Sequence, residues 1–495
     1  MENSENFDAN ELIEVPLIIL FFYFCKYTNY KVLFVKKNER YMAEINNLQR
    51  QGFASKFGVI AATAGSAVGL GNIWRFPYVT GTNGGGAFIF IYLIFVIVIV
   101  INVMLCEFII GRSAQKNPVG AFKKLAPGKH WHFVGLMGVV AAFVILAFYS
   151  TVAGWTLEYI FKSITNAFSN KNPSELSSMF DTFKSGNFLP VLWQLVFMGL
   201  TVWIIISGVQ KGIEKYSKIL MPLLLIIIII LDIRAITLPC AGKGLSFLFN
   251  PDFSKVTGNT ILQALGQAFF SLSVGMGTLI TYGSYINKKE NLANTAVTVA
   301  GIDTLVAILA GIAIFPAVFA FGIEPSAGPG LVFITLPNIF QQMTGGYIFS
   351  LLFFVLLLVA ALTSSISVLE VVVVYFVEEL KMVRRKATIV AGVLISILGI
   401  SCTLSWGAMS GISFFGKNIF DLLDFSASNI FLPIGGLFIV LFIGWFYKKE
   451  FTRQELSNNG KFKVRYFSVF IFLVKFIAPV AIAIIFLNGI GLLKF

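Results

Sequence analysis

Two stretches decide how this chain is read: Ser66-Ala67-Val68-Gly69-Leu70-Gly71 and Leu272-Ser273-Val274-Gly275-Met276-Gly277. Each places Val-Gly-x-Gly in the middle of a run otherwise apolar enough for a membrane helix. Glycine is a poor helix former, and small polar residues flank both pairs, so each run reads as a helix interrupted at mid-depth. Paired glycines also mark simple close packing of helices. The interruption is the stronger reading because each site gathers amide donors, carbonyl acceptors and hydroxyls at one depth.

Outward from these runs, the composition points to lipid. Of 495 residues, 57% are hydrophobic and 12% charged, with a mean hydropathy of +0.84, more apolar surface than a water-soluble chain of this length can hide. Continuous runs such as 87–110, 133–161 and 347–376 reach the roughly 20 residues that a spanning helix needs. They do not alternate apolar with polar, which excludes a membrane β-barrel. Hydropathy and Gly, Pro or charged breaks give about eleven spans, near 57–81, 87–111, 133–165, 190–208, 217–238, 259–285, 294–322, 346–377, 387–406, 418–447 and 466–492. The fold class is therefore an all-α membrane protein. The two interrupted spans lie five apart and insert with opposite topology, the pattern of a 5+5 inverted repeat with discontinuous helices 1 and 6. Residues 56–240 form the first repeat, 241–447 the second, and 448–495 a loop with the last span.

The formal charge of +13 does not indicate nucleic acid, because Lys and Arg concentrate in short connections, as the positive-inside rule expects. Arg112, Lys116, Lys123, Lys124 and Lys129 follow span two, Arg384, Arg385 and Lys386 follow span eight, and Lys448, Lys449, Arg453, Lys461, Lys463 and Arg465 precede the last span. Those loops are expected in the cytoplasm and the C-terminus outside, in a multi-pass protein of the plasma membrane. Cys25, Cys106, Cys240 and Cys402 lack paired spacing, and His130 and His132 stand alone, so neither a disulfide framework nor a metal cluster is indicated. Residues 1–55 read as a cytoplasmic segment. Its apolar run Val15–Cys25 is too short to span and suits an interfacial helix, while a start of translation at Met42 is an equal alternative.

A helix broken in mid-membrane exposes amide N–H groups at one new end and carbonyl oxygens at the other, seats for a carboxylate and for cations. A zwitterion fits both. The oxygens of Asn72, Ser271, Thr363 and Ser364, with backbone carbonyls, suit a hard cation such as sodium. Single hydroxyls in membrane helices commonly bond back to their own backbone, but Thr363-Ser364-Ser365 puts three in succession amid an apolar span.

The segment Gly65-Ser66-Ala67-Val68-Gly69-Leu70-Gly71-Asn72-Ile73-Trp74-Arg75-Phe76-Pro77, followed by Asn83-Gly84-Gly85-Gly86-Ala87-Phe88, resembles the first-helix signature of the neurotransmitter:sodium symporters, bacterial amino-acid branch. Gly266-Gln267-Ala268-Phe269-Phe270-Ser271-Leu272-Ser273 and Ala360-Ala361-Leu362-Thr363-Ser364-Ser365 extend the resemblance from about Arg50 to the last span. It implies one sodium site at Ala67, Asn72, Ser271 and Asp303, and a second at Gly65, Val68, Ala360, Thr363 and Ser364. It further implies a substrate carboxylate on Leu70, Gly71 and Tyr149, an ammonium near Ala67, Phe270, Ser271 and Ser273, and a side-chain pocket of Ile145, Met276 and Val368, with Ser364 alongside. Gly69 stands where amine-carrying relatives have aspartate, which leaves room for the substrate's own carboxylate and favours an amino acid.

Carried over in the same way, Arg75 and Asp424 form an outer gate above Tyr149 and Phe270, and Arg50 and Glu378 an inner gate where the usual Trp is Phe53. Glu107 resembles a carboxylate that braces the first helix. Lys211-Gly212-Ile213 and Pro222 resemble an element that unwinds in span five. Asp303 departs from the family. One alignment puts it at an Asn of the first sodium site, another at a Ser of the chloride site whose other members match Tyr92, Gln267 and Ser271, and spacing leaves both open. Either way a fixed negative charge replaces chloride, so two sodium ions and no chloride are expected. The expectation is a symporter of a neutral, hydrophobic or aromatic amino acid, monomeric or weakly dimeric. A lipid-modifying enzyme would need Asp, Glu or His clustered at one interface, and none stands out. A sensor that binds without transporting is the weaker expectation, because soluble signalling tails are absent and the ion sites look complete.

Overall fold

The computed structural model describes residues 52–322 and 331–493, and the regular structure within them is helical, with one isolated bridge between Phe414 and Lys417. The spans are α1 (Lys56–Ala67 and Gly71–Thr82), α2 (Gly86–Ala114), α3 (His132–Ile164), α4 (Leu189–Ile206), α5 (Val209–Ile236), α6 (Gly258–Ser271 and Thr278–Gly283), α7 (Leu292–Ala320), α8 (Gly346–Glu378), α9 (Arg384–Trp406), α10 (Ile419–Phe446) and α11 (Phe467–Gly489). Nine are continuous and long and apolar enough to cross a bilayer, and α1 joins them as a pair bent by 52°. The two pieces of α6 are shorter, 14 and 6 residues. The all-α membrane architecture and both expected interruptions are therefore present. Arg50, the run Val15–Cys25 and Met42 lie outside the described residues.

Local sequence explains the starts of several spans. Ser55, Thr257, Asn291 and Asn418 cap α1, α6, α7 and α10 by accepting backbone amides near their first turns, which satisfies donors that lipid or protein would otherwise strand. The 33-residue helices α3 and α8 pack on each other, and the first half of α1 lies against α5, α7 and α8. Short helices at Pro118–Leu125, Pro173–Lys184, Ala241–Phe249, Leu336–Gln342 and Lys449–Ser457 occupy the connections. Hydropathy did not foretell them, because they are half polar and too brief to span.

The basic connections meet on one side. Lys123 reaches Glu379 at 2.5 Å, tying the α2–α3 connection to the end of α8, and Arg112 pairs with Glu455 at 2.5 Å, tying α2 to the helix after α10.

One boundary differs from expectation by two turns: α5 begins at Val209, not near 217. The charges at 211–215 interrupt the apolar run that set the start near 217, yet Glu214 is buried and fully engaged. Its carboxylate accepts the Ala54 amide at 2.7 Å and the Ser55 hydroxyl at 2.9 Å, and pairs with Lys218 at 2.6 Å. The start of α1 thus hangs from α5 by one acid. Glu214→Gln keeps the shape but leaves Lys218 without its partner and weakens two hydrogen bonds to an anion. Amides of 54–58 are expected to exchange with solvent about tenfold faster in that variant, measured by hydrogen exchange in detergent. Unchanged exchange there would show that α1 is held by apolar packing alone.

A candidate ion and substrate site at two broken helices

At the first break, Val68 turns extended (φ −70°, ψ 110°) and its amide still reaches Ala64 at 2.7 Å. The helix resumes at Gly71, where Asn72 folds back so that its side-chain oxygen takes the Gly69 amide at 3.1 Å. The Leu70 amide donates to the Tyr149 hydroxyl of α3 at 3.3 Å. Gly69 has no room for a side chain, since a Cβ there would stand 2.5 Å from Ser364 Oγ and 3.0 Å from Tyr149 Oη. A Cβ on Gly71 would meet the Phe270 ring at 3.0 Å.

The second break is sharper. Ser273, Gly275 and Gly277 have φ of 53°, 87° and 77°, a left-handed region that glycine enters without penalty and serine only at a cost. Ser273 is held there by donating to the Ser66 carbonyl at 3.1 Å, which joins the two breaks directly. Glu107 corrects an expectation. Its carboxylate accepts the Gly275 amide at 2.7 Å and so braces the break of α6, not α1. The carboxylate was legible as a buried charge in α2, but its partner was not, since nothing in the spacing says which break it faces.

Asp303 on α7 stands where the breaks converge, fully buried. One oxygen accepts the Asn72 amide group at 2.7 Å, the other accepts the Ser271 hydroxyl at 2.7 Å and that of Tyr92 at 3.5 Å. Asn72 also donates to Ser271 Oγ at 3.0 Å and to the Asp303 carbonyl at 3.2 Å. The two alternatives for Asp303 were neighbours in space: one oxygen faces Asn72, the other Tyr92 and Ser271. Gln267 lies alongside, donating to the Gly71 carbonyl at 3.2 Å. Four helices, α1, α2, α6 and α7, thus contribute to one carboxylate.

The second oxygen-rich group joins α1 to α8. Ser364 Oγ lies 3.0 Å from the Val68 carbonyl and 3.4 Å from those of Gly65 and Ser66. Thr363 reaches the Val359 and Ala360 carbonyls at 3.0 Å each, and its Cβ would be 3.2 Å from a Cβ on Gly65. Gly65, Val68, Ala360, Thr363 and Ser364 are therefore brought together. Ser365 is not part of this group and faces Thr201 on α4 at 3.1 Å. Sequence reading missed Ser367, one turn beyond Ser364, which accepts from Ser66 at 2.8 Å. The three-residue spacing on one helix face was the available signal. Ala67, Ile145, Met276 and Val368 are all buried on α1, α3, α6 and α8.

The expected gates are partly assembled. Arg75 sits over the Phe270 ring, 4.4 Å from its centre, a cation–π arrangement that closes one end of the site. Asp424 accepts from Ser428 at 3.1 Å, and no ion pair joins Arg75 to Asp424 among the described residues. At the other end, Glu378 accepts both the backbone and side-chain amides of Asn117, at 2.8 and 3.0 Å. Phe53 packs edge-on against Tyr282 and Tyr285, and Tyr285 donates to Glu370 at 2.7 Å, where Arg384 also binds. An aromatic contact thus persists where Phe replaces Trp.

Known proteins resemble this chain in sequence and in overall fold. The sequence model of the Sodium:neurotransmitter symporter family matches residues 50–178 and 179–494. The sodium-dependent transporter YhdH of Bacillus subtilis is 43% identical over 90% of this chain and 98% of its own, and a sodium-dependent transporter of Haemophilus influenzae is 40% identical over 90% and 99%. A crystal structure of MhsT in complex with L-phenylalanine superposes with a TM-score of 0.82 at 50% identity, covering 89% of this chain and all of that one. A membrane protein of broken α1 and α6, with two oxygen-rich groups beside the breaks, this chain is a sodium-dependent transporter and belongs to the sodium:neurotransmitter symporter family.

Proposed function

We propose that the protein couples two sodium ions to the uptake of a neutral, hydrophobic or aromatic amino acid by alternating access, without chloride. The observation that carries this reading is the convergence of Asn72, Ser271 and Asp303 at the first break, where the Leu70 amide meets Tyr149. One sodium is assigned to Ala67, Asn72, Ser271 and Asp303, completed by the substrate carboxylate, and the other to Gly65, Val68, Ala360, Thr363 and Ser364. A ligand shared between ion and substrate makes their binding mutually favourable.

Gly69 supports an amino acid over an amine, because no acidic side chain occupies the space beside Ser364 and Tyr149. The apolar set Ile145, Met276 and Val368 supports a hydrophobic side chain, as does the phenylalanine in the MhsT structure. The inward-facing side is read as the one carrying Lys123 and Arg384, from their basic loops. Residues 56–240 and 241–447 are read as the inverted repeats, with α1, α2, α6 and α7 rocking against a scaffold of α3, α4, α8 and α9.

Uptake of labelled amino acids into proteoliposomes under a sodium gradient tests the reading, with gluconate replacing chloride in a parallel arm. Uptake of phenylalanine-like substrates that needs sodium and is indifferent to chloride is expected. An absolute need for chloride would overturn the role given to Asp303. In Thr363→Ala, the sodium concentration giving half-maximal thermal stabilisation is expected to rise about tenfold, the loss of one direct oxygen ligand.

A further inference from the structure

We propose that a cavity outside the transport site seats the headgroup of a zwitterionic aminophospholipid. The cavity, about 770 Å³, lies between the ends of α3 and α4 and the connecting helix Pro173–Lys184. Its size falls in the range of small-molecule sites. On the orientation proposed above it belongs to the outer leaflet, and only that placement rests on the earlier reading.

Four charged side chains line it, and two of them cancel. Glu158 and Lys162 pair at 3.4 Å, nearly buried, with Glu158 also accepting from Trp193 Nε1 at 2.6 Å and Lys162 lying 5.0 Å from the ring centres of Tyr159 and Phe183. That leaves one cation and one acid. Lys171 has no carboxylate within ion-pair distance among the described residues, and its loop is fixed through backbone bonds to Gln341. Glu175 gives one oxygen to the Asn172 amide at 2.8 Å, leaving the other for a ligand. One unpaired cation with one unpaired acid matches a phosphate joined to a primary ammonium. An anionic headgroup would meet Glu175 with like charge, and a quaternary choline has no N–H to donate to it.

The rim identifies lipid as the source of this zwitterion. Phe188 and Leu189 line the cavity while 73% and 49% exposed, and Leu192, Leu195 and Val196 continue the exposed apolar track down α4. Trp193 and Phe161, with ring centres 6.3 Å apart, lie at the start of α4 and the end of α3, the helix ends where aromatic belts meet headgroups. A free amino acid would gain nothing from this track, whereas two acyl chains would cover it.

The test is retention of lipid by the intact protein. Protein exchanged into equal parts of phosphatidylethanolamine, phosphatidylglycerol and phosphatidylcholine with the same chains is released in native mass spectrometry. One retained phosphatidylethanolamine per chain is expected, with retention about tenfold weaker in Lys171→Gln and in Glu175→Gln. Glutamine at 175 still caps the helix, so loss there reports the ligand and not misfolding. Retention that ignores the headgroup, or is unchanged in both variants, would overturn the proposal. A second arm follows amine-reactive labelling of Lys171: protection by phenylalanine or by soluble glycerophosphoethanolamine equal to that by the diacyl lipid would also overturn it. Neither arm reads transport, so failure of the proposed coupling would leave the outcome intact.

Discussion

Gly69→Ala is expected to abolish sodium-driven uptake, lowering it about 100-fold or more while the protein still folds. The added methyl would stand 2.5 Å from Ser364 Oγ and 3.0 Å from Tyr149 Oη. Neither neighbour can retreat freely, because Ser364 holds the Val68 carbonyl and Tyr149 the Leu70 amide. Overpacking of this kind costs ~1–3 kcal/mol, and here the displaced atoms belong to the proposed sodium and carboxylate seats. Gly69 is not in a left-handed conformation, so the substitution isolates crowding from backbone strain. Gly71→Ala is the control. Its methyl meets only the Phe270 ring, which can swing, and a loss smaller by about an order of magnitude is expected. Uptake together with size-exclusion profiles measures both. Wild-type uptake in Gly69→Ala would remove the breaks from the transport site.

The second large effect is expected for Asp303→Asn. The carboxylate accepts from Asn72, Ser271 and Tyr92, and the amide of Asn offers one acceptor in place of two. One donor is left facing an N–H, and the fixed negative charge beside the proposed sodium is gone. Removing a partner from a buried charged cluster costs ~3–5 kcal/mol, so sodium affinity is expected to fall about 100-fold or more. Asp303→Ser makes a sharper comparison. It frees space for a mobile anion, and chloride is expected to restore part of its uptake while doing nothing for the wild type. The measurement is sodium titration of uptake with and without chloride. Unchanged sodium dependence in Asp303→Asn would take the carboxylate out of the coupling.

Much of this was legible in the sequence. Hydropathy located the spans because lipid admits few alternatives to an apolar helix, and Val-Gly-x-Gly marked both breaks because glycine admits the left-handed turns of Gly275 and Gly277 at one and leaves room beside Ser364, Tyr149 and Phe270 at the other. The start of α5 was set two turns late for a physical reason: charge breaks an apolar run, yet Glu214, a carboxylate with three partners, sits inside the helix end. Glu107 could be recognised as functional but not assigned to α6, since partners across 168 positions are fixed by packing. The two settings considered for Asp303 looked exclusive along one helix and are adjacent once α1, α2, α6 and α7 converge. The short connecting helices escaped because neither their length nor their composition separates them from loops.

Ser66 faces both ways, and this has a consequence for fidelity: its carbonyl accepts from Ser273 at the break of α6, and its hydroxyl donates to Ser367 of α8. One bond is thus spent within the broken pair and the other on the scaffold. If α1 pulls away from α8, the 2.8 Å bond to Ser367 is lost while the 3.1 Å bond to Ser273 travels with it. The broken helices would then depart as one piece, and an ion would have little chance to slip past an unaccompanied α1. Ser273→Ala would cut that tether and is the place to look for leak, a sodium current without substrate.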